Sequence, residues 1–271
     1  MTDNTFALSK DTLMKQSAVQ MDAHLQTGDY TLAQRVALTC RILFDSGHDS
    51  GLAGQITARA EQPGTFFTQR LGLGFNEISE DNLLVVDEHL TVVSGEGMAN
   101  PANRFHAWVY RARPDVKCII HTHAIHTAAL GMLEVPLEIS HMDNCVLYDD
   151  VAFVDHWPGV PVGNEEGELI STALGDKHAL LLSHHGLLIA AGTVEEACVM
   201  AIAFERAARM HLLAAAAGTI KPIDPALGRE AREWLAHPKR SAVTFAHYAR
   251  RALREERNVD CIRIKPSRSP A

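Results

Sequence analysis

"VKCIIHTHAIHTAALG", residues 116–131, decides how this chain folds around its chemistry. Cys118, Ile119 and Ile120 form an apolar run leading into His121, and His123 follows after one intervening residue. A short apolar, β-branched run of this kind reads as a buried strand, and "AIHTAALGML", residues 124–133, reads as a short helix leaving it. Residues i and i+2 of a strand share a face, so the two imidazoles converge on one point. They also fall at the carboxyl end of the strand, where open α/β sheets place ligands. Fifteen histidines in 271 residues give about one H-x-H pair by chance, so the pair alone carries little weight.

A second stretch, "HALLLSHHGLLIAAG" at residues 178–192, repeats the pattern. An apolar run ends in His184 and His185, and Gly186 lets the backbone turn and another group approach closely. Zinc sites use three or four protein ligands, so two imidazoles from one strand need a partner from another. Two strand ends that both carry histidine make a three-histidine metal cluster one reading, and polar strand ends with no common purpose the other. His24, His48, His178, His211, His237 and His247 sit in polar or helical surroundings and need no function. His126 reads either as support for the site or as the buried face of the short helix.

The flanking segments set the architecture. "TLAQRVALTCRILFDSG", residues 31–47, opens with a Thr31-x-x-Gln34 capping box, places Leu32, Val36, Ile42 and Leu43 near one face, and stops at Gly47. Then the period changes. "GQITARAE", "TFFTQRLG", "LLVVD" and "LTVVSG" are short strands on tight connections, which calls for antiparallel pairing. "NPANRFHAWVYRARPD" reads as a helix at 101–112, with Pro101 in its first turn and Pro114 just beyond its end. "DDVAFVDH" is another strand, and "EEGELISTALG" a helix. A second capping box, Thr193 to Glu196, starts a long helix that runs to Gly218. The expected fold is α/β: a three-layer α/β/α sandwich over a mixed, largely antiparallel sheet. The expected division is a helical extension at 1–28, one domain at 29–219 and a helical tail at 220–271.

Composition bounds the function. The chain is 46% hydrophobic and 21% charged, as expected of a folded domain, and its formal net charge of -8 argues against a nucleic-acid surface. The basic run from Arg250 to Arg268 reads as a solvated terminal segment. Five cysteines without a C-x-x-C suggest a reducing compartment. No stretch reads as a signal peptide or a membrane span, so a cytoplasmic protein is expected.

The two histidine motifs, with "LGFNEISEDNLLVVDEHLTVVSG" and "NRFHAWVYRARPD", make residues 32–217 resemble the class II aldolase/adducin family. The resemblance implies an α/β/α sandwich assembled as a homotetramer, with active sites at subunit interfaces. It implies a divalent metal, zinc first and manganese second, held by His121, His123 and His185. His184 becomes a candidate catalytic residue. The family's phosphate-binding Gly-Asn loop matches Gly54 and Gln55, here within "GQIT". The family's Ser-Ser-Glu, whose carboxylate is the general acid/base, matches Asn100, Pro101 and Ala102. Gly54, Gln55 and Asn100 are thus the substrate-binding candidates, and Ala102 can neither ligate metal nor move a proton. The stretch "EISHMDNCVLYDDVAFVDHWPG" is similar to the adducin-type branch. There His141 matches a tyrosine that reaches a neighbouring subunit's site in the aldolases, which makes it a candidate proton donor.

The implied activity is lyase chemistry. A metal held by three histidines chelates a small hydroxy- or oxo-carbonyl substrate and stabilises the enolate formed as a carbon–carbon bond breaks. Aldolase is the first expectation and a decarboxylase of the same fold the alternative. A non-catalytic assembly module of the adducin kind is the third reading.

Overall fold

A computed structural model describes residues 5–255 and 260–263. Eight strands form one sheet: β1 (Gln55–Arg59), β2 (Thr65–Thr68), β3 (Leu84–Asp87), β4 (Val92–Ser94), β5 (Cys118–Thr122), β6 (Val151–Val154), β7 (Ala179–Leu182) and β8 (Leu187–Ala191). Their spatial order is β4-β3-β2-β1-β5-β8-β7-β6. Every neighbouring pair is antiparallel except β6 with β7. The expected mixed, largely antiparallel sheet is therefore present. The parallel pair follows from a long crossover, whose helix α5 (Asn164–Leu174) connects β6 to β7.

Alternation along the strands divides the core into two layers. Cys118 and Ile120 of β5, Ala179 and Leu181 of β7, and Leu187, Ile189 and Ala191 of β8 pack on one face. That face is covered by α2 (Leu32–Asp45), α6 (Val194–Ala217) and α8 (Pro238–Ala252). Ile119, Leu180, Leu182, Leu188 and Ala190 lie on the other, under α3 (Asn103–Ala112) and α5. Strands buried on both faces read as continuous apolar runs, which is how β5, β7 and β8 appear in the sequence.

Both capping residues start their helices. Thr31 Oγ1 accepts from the Gln34 N–H at 3.2 Å while Gln34 Oε1 accepts from the Thr31 N–H. At α6, Thr193 Oγ1 accepts from the Glu196 N–H at 3.1 Å. The helix expected at 101–112 begins at Asn103, because residues 101 and 102 form a turn closed by Asn100 Oδ1 on the Ala102 N–H. The short helix expected at 124–133 leaves β5 as α4 (Ile125–Gly131) and stops two residues earlier, with Met132 as its C-cap.

The N-terminal helix α1 (Lys10–His24) buries none of its residues. The C-terminal segment supplies α7 (Pro225–Leu235) and α8, and Phe245, Ala249 and Ala252 of α8 are part of the main core. Part of the basic C-terminal run lies outside the described residues. No helix among the described residues is long and apolar enough to cross a membrane.

Candidate metal centre

The site grows from the pairing of β5 with β8. Their register sets His121 opposite Leu188 and Thr122 opposite Leu187. The turn from β7 to β8, residues 183–186, therefore lies beside the end of β5. It is closed by the Leu182 N–H on Gly186 O (2.8 Å) and the His185 N–H on Leu182 O (3.2 Å). His184 takes the left-handed conformation, φ 56°, which is uncommon for a residue with a Cβ. This turn carries His185 to His121 and His123. One ring nitrogen from each of the three lies within 4.8 Å of the others, and no other such metal-ligating cluster occurs among the described residues.

Inside the cluster, His121 Nε2 and His123 Nε2 are 2.9 Å apart. Ring centroids are 4.6 Å apart for His121–His185 and 4.7 Å for His123–His185. Two nitrogens bound to one ion at about 2.1 Å stand about 3.0–3.4 Å apart, so a small relaxation seats a cation. His121 Nδ1 is 2.8 Å from the Leu187 carbonyl and donates its proton there, which leaves the Nε2 lone pair facing its neighbours. Burial, then the neighbouring His185, His123 and His106, hold His121 well below the usual histidine range. Burial also lowers His123. His185 is lowered to about 4 by burial and then by His123. All three are neutral near pH 7, the state a metal requires. The donor set fits a divalent cation.

Glycine makes the close approach possible. A Cβ on Gly186 would lie 2.3 Å from Thr122 O and 2.9 Å from His123 Cδ2. Gly54 has a φ of 95°, and a Cβ there would stand 3.1 Å from His121 O. Next to it, Gln55 pairs with His121 across β1 and β5. Gln55 is buried, and its Oε1 has no protein hydrogen-bond partner. Gln55 is thus the substrate-binding candidate set directly beside the cluster in the sheet. Asn100 uses its Oδ1 on the backbone of Ala102. Ala102, the N-cap of α3, brings no acid to the site.

Neither of the two proton-transfer candidates is a member of the cluster. His184 Nε2 pairs with Glu134 Oε1 at 2.9 Å on the surface. His141 is exposed, accepts from the Asp143 N–H at 3.2 Å, and lines a groove with Trp234, Leu227 and Met14.

Two further histidines are buried beside the site, and neither stands out in the sequence. His48 has polar neighbours along the chain, yet it is fully buried. Its Nδ1 lies 2.8 Å from Thr122 Oγ1, between the two histidines at the end of β5. His106 stands on the opposite face. Thr57 Oγ1 donates to Tyr110 and lies 2.9 Å from His106 Nδ1, and His106 Nε2 has no protein partner. Burial lowers His48 to about 4, against a smaller opposing effect of the Glu205 charge, and lowers His106 to about 3. The only sequence signal for His106 is its i, i+3 spacing from Asn103 on α3, which sets both on one helix face.

Two outcomes follow from this geometry. Gly186→Ala should displace His123 and reduce bound metal to well under half of the wild-type stoichiometry, read by metal analysis of folded protein. The metal-free protein should lose stability on acidification. His48 and His106 bind a proton in the unfolded chain near pH 6.5 but resist it when folded. Their contribution is therefore complete above that pH and falls as pH drops towards 4 and 3. Denaturant unfolding at pH 5 against pH 7 should show a loss of about 1–2 kcal/mol per histidine.

Comparison with known proteins places the chain. Residues 34–212 match the model of the Class II Aldolase and Adducin N-terminal domain. The chain is 32% identical over 199 residues to 4-hydroxy-3-prenylphenylpyruvate oxygenase/4-hydroxy-3-prenylbenzoate synthase of Streptomyces roseochromogenus subsp. oscitans, covering 72% of each chain. It is 31% identical to Decarboxylase NovR of Streptomyces niveus, covering 72% of this chain and 74% of the relative. The solved structure of L-fuculose 1-phosphate aldolase from Glaciozyma antarctica PI12 superposes with a TM-score of 0.79 at 27% identity, over 91% of this chain and 99% of that one. These proteins are named for aldolase, decarboxylase and oxygenase activities, and the solved aldolase shares the fold of this chain. The chain belongs to the class II aldolase and adducin family.

Proposed function

We propose that the chain is a divalent-metal-dependent lyase that breaks a carbon–carbon bond in a small, unphosphorylated hydroxy- or oxo-carbonyl compound. The observation that carries this reading is the convergence of His121, His123 and His185 as three neutral imidazoles. Three protein ligands leave positions open for substrate, which is the arrangement of catalytic rather than structural zinc sites. Zinc is the first expectation and manganese the second. A divalent ion held by His121, His123 and His185 would supply Lewis acidity there.

The protein's own groups bear on substrate choice. Gln55 offers a buried, unpartnered oxygen beside His121 and holds a polar group of the substrate. Pro101 has no N–H to give and neither Pro101 nor Ala102 carries a hydroxyl, so the phosphate-binding donors implied by the resemblance are reduced. The paired His184–Glu134 at the surface is one proton carrier candidate. His141 is the other, and acts on the site of a neighbouring subunit in a homotetramer. The reading includes a cytoplasmic location, supported by five cysteines that are all unpaired and buried.

Decarboxylation is the second reading, favoured by Ala102. Aldol cleavage needs a base for the substrate hydroxyl proton, whereas loss of carbon dioxide does not, and Ala102 supplies no base. The 31% identity to Decarboxylase NovR points the same way.

Metal-loaded protein assayed on 2-oxo and hydroxy acids beside sugar phosphates tests the substrate class. The expected result is turnover of an unphosphorylated acid that is lost in His123→Ala, with sugar phosphates slower by about 10²–10⁴-fold. Robust turnover of fuculose 1-phosphate would overturn the substrate assignment. Absence of turnover on every substrate with metal bound would favour the assembly-module reading. Light scattering at micromolar concentration should give four times the chain mass, and a monomer mass would refute the tetramer.

A further inference from the structure

Glu205 lies in the middle of α6, on the sheet face away from α3, and is almost fully buried. Its carboxylate is fully engaged, and it engages α4 rather than the clustered histidines. Oε1 accepts from the His126 N–H at 3.0 Å and lies 2.6 Å from His126 Nδ1. Oε2 accepts from the Thr127 N–H at 2.9 Å and from Thr127 Oγ1 at 2.8 Å. These are first-turn groups of α4, whose amides have no partner within the helix.

The place of α4 gives this contact its consequence. Its first residue, Ile125, comes two positions after His123. Its last residue, Gly131, accepts at its carbonyl from the His184 N–H at 3.2 Å, one residue before His185. The backbones meet closely there, since a Cβ on Gly131 would stand 3.0 Å from Leu182 O. The seven-residue helix thus joins the two segments that carry the histidines. A helix this short is marginal alone, so its position depends on what holds it. Glu205 holds the first turn from a 24-residue helix packed into the main core.

We propose that Glu205 is a positioning residue for the metal centre, acting through α4 to set His123 and His185 at ligand distance from His121. The role rests on the triad holding a metal, as proposed for the function. The Glu205→Gln change keeps the shape but turns an N–H₂ towards donors, so the side chain can no longer accept on both sides. The carboxylate also places negative charge at the first turn of α4, which the amide removes.

The test measures metal affinity, with activity set aside. Zinc dissociation constants come from competition with a chromogenic chelator, and the d–d absorption of the cobalt(II)-substituted protein reports ligand geometry. Glu205→Gln should bind zinc about 10–100-fold more weakly and shift the cobalt spectrum, the range seen when groups behind metal ligands are lost. Thr127→Val removes one hydrogen bond to the same carboxylate at nearly constant shape, and should weaken binding several-fold. It decides the matter if Glu205→Gln does not fold. Asp150→Asn is the control. Asp150 is a buried carboxylate that holds His178 and Arg232, so its loss costs stability without touching α4. It should leave zinc affinity within about twofold of wild type. Folded Glu205→Gln and Thr127→Val with wild-type affinity and an unchanged cobalt spectrum would overturn the proposal. So would an equal loss of affinity in Asp150→Asn, because the effect would then follow general destabilisation. Failure of the metal reading looks different: the wild-type protein would bind no zinc, or would bind it equally well as His121→Ala.

Discussion

The antiparallel pairing of β5 with β8 is the constraint on which the rest depends. It brings the end of one strand beside the beginning of the other. Residues 121–123 therefore meet residues 184–187 although about sixty positions separate them. The hydrogen bond from His121 Nδ1 to Leu187 O ties the two strands at that point and fixes which ring nitrogen remains free. Gly186 lets the chains approach to a distance that no side chain allows. Pairing, tautomer and close approach are one arrangement seen at three levels. Each fails if the register slips by a residue, because a one-residue shift turns His121 to the opposite face.

Much of this is legible in the sequence. An H-x-H at the end of an apolar run predicts two imidazoles on one face, and the structure has that geometry. The caps at Thr31 and Thr193 stand where helix starts are expected, since a cap is a local interaction between residues three apart. What escapes the sequence depends on long-range contact. His48 has polar neighbours along the chain but is buried, because Thr122 offers its hydroxyl from a strand 74 positions away. Glu205 looks like an ordinary surface acid in a helix, and only the packing of α4 against α6 reveals it as buried. The C-terminal segment reads as an appendage because its helices lack a continuous apolar stretch. Yet Phe245, Ala249 and Ala252 recur at helical spacing and enter the core.

The start of α3 shows how a change of residue type redirects a scaffold. Asn100 closes its own turn, Pro101 lacks a donor, and Ala102 lacks any polar side-chain group. None of the three is a strand residue or a member of the histidine cluster, although Ala102 packs against the core layer under α3. A substitution at these positions changes the polar groups at the start of α3 without changing the residues that carry the imidazoles. The parts that concentrate the imidazoles lie on rigid strands and the turn between them. The candidate proton carriers His184 and His141, with Asn100, lie on turns and helix starts, whereas Gln55 stands in the sheet beside His121.

Buried side-chain atoms without a protein partner are spread over the described residues, and three of them gather beside the imidazoles. Buried unpaired groups cost stability in proportion to how completely they lose water. Gln55, Asn103 and His106 each bury an atom with no protein partner, and all three belong to the sheet face that also carries His121. On the opposite face His48 Nε2 is unpartnered too, but the Glu205 carboxylate, which holds α4, is engaged by four donors. The group that positions is saturated, whereas those beside the imidazoles keep capacity in reserve. A site that is to take up and release a polar molecule needs that asymmetry. If its own groups satisfied one another, the substrate would have to break those contacts before it could make any.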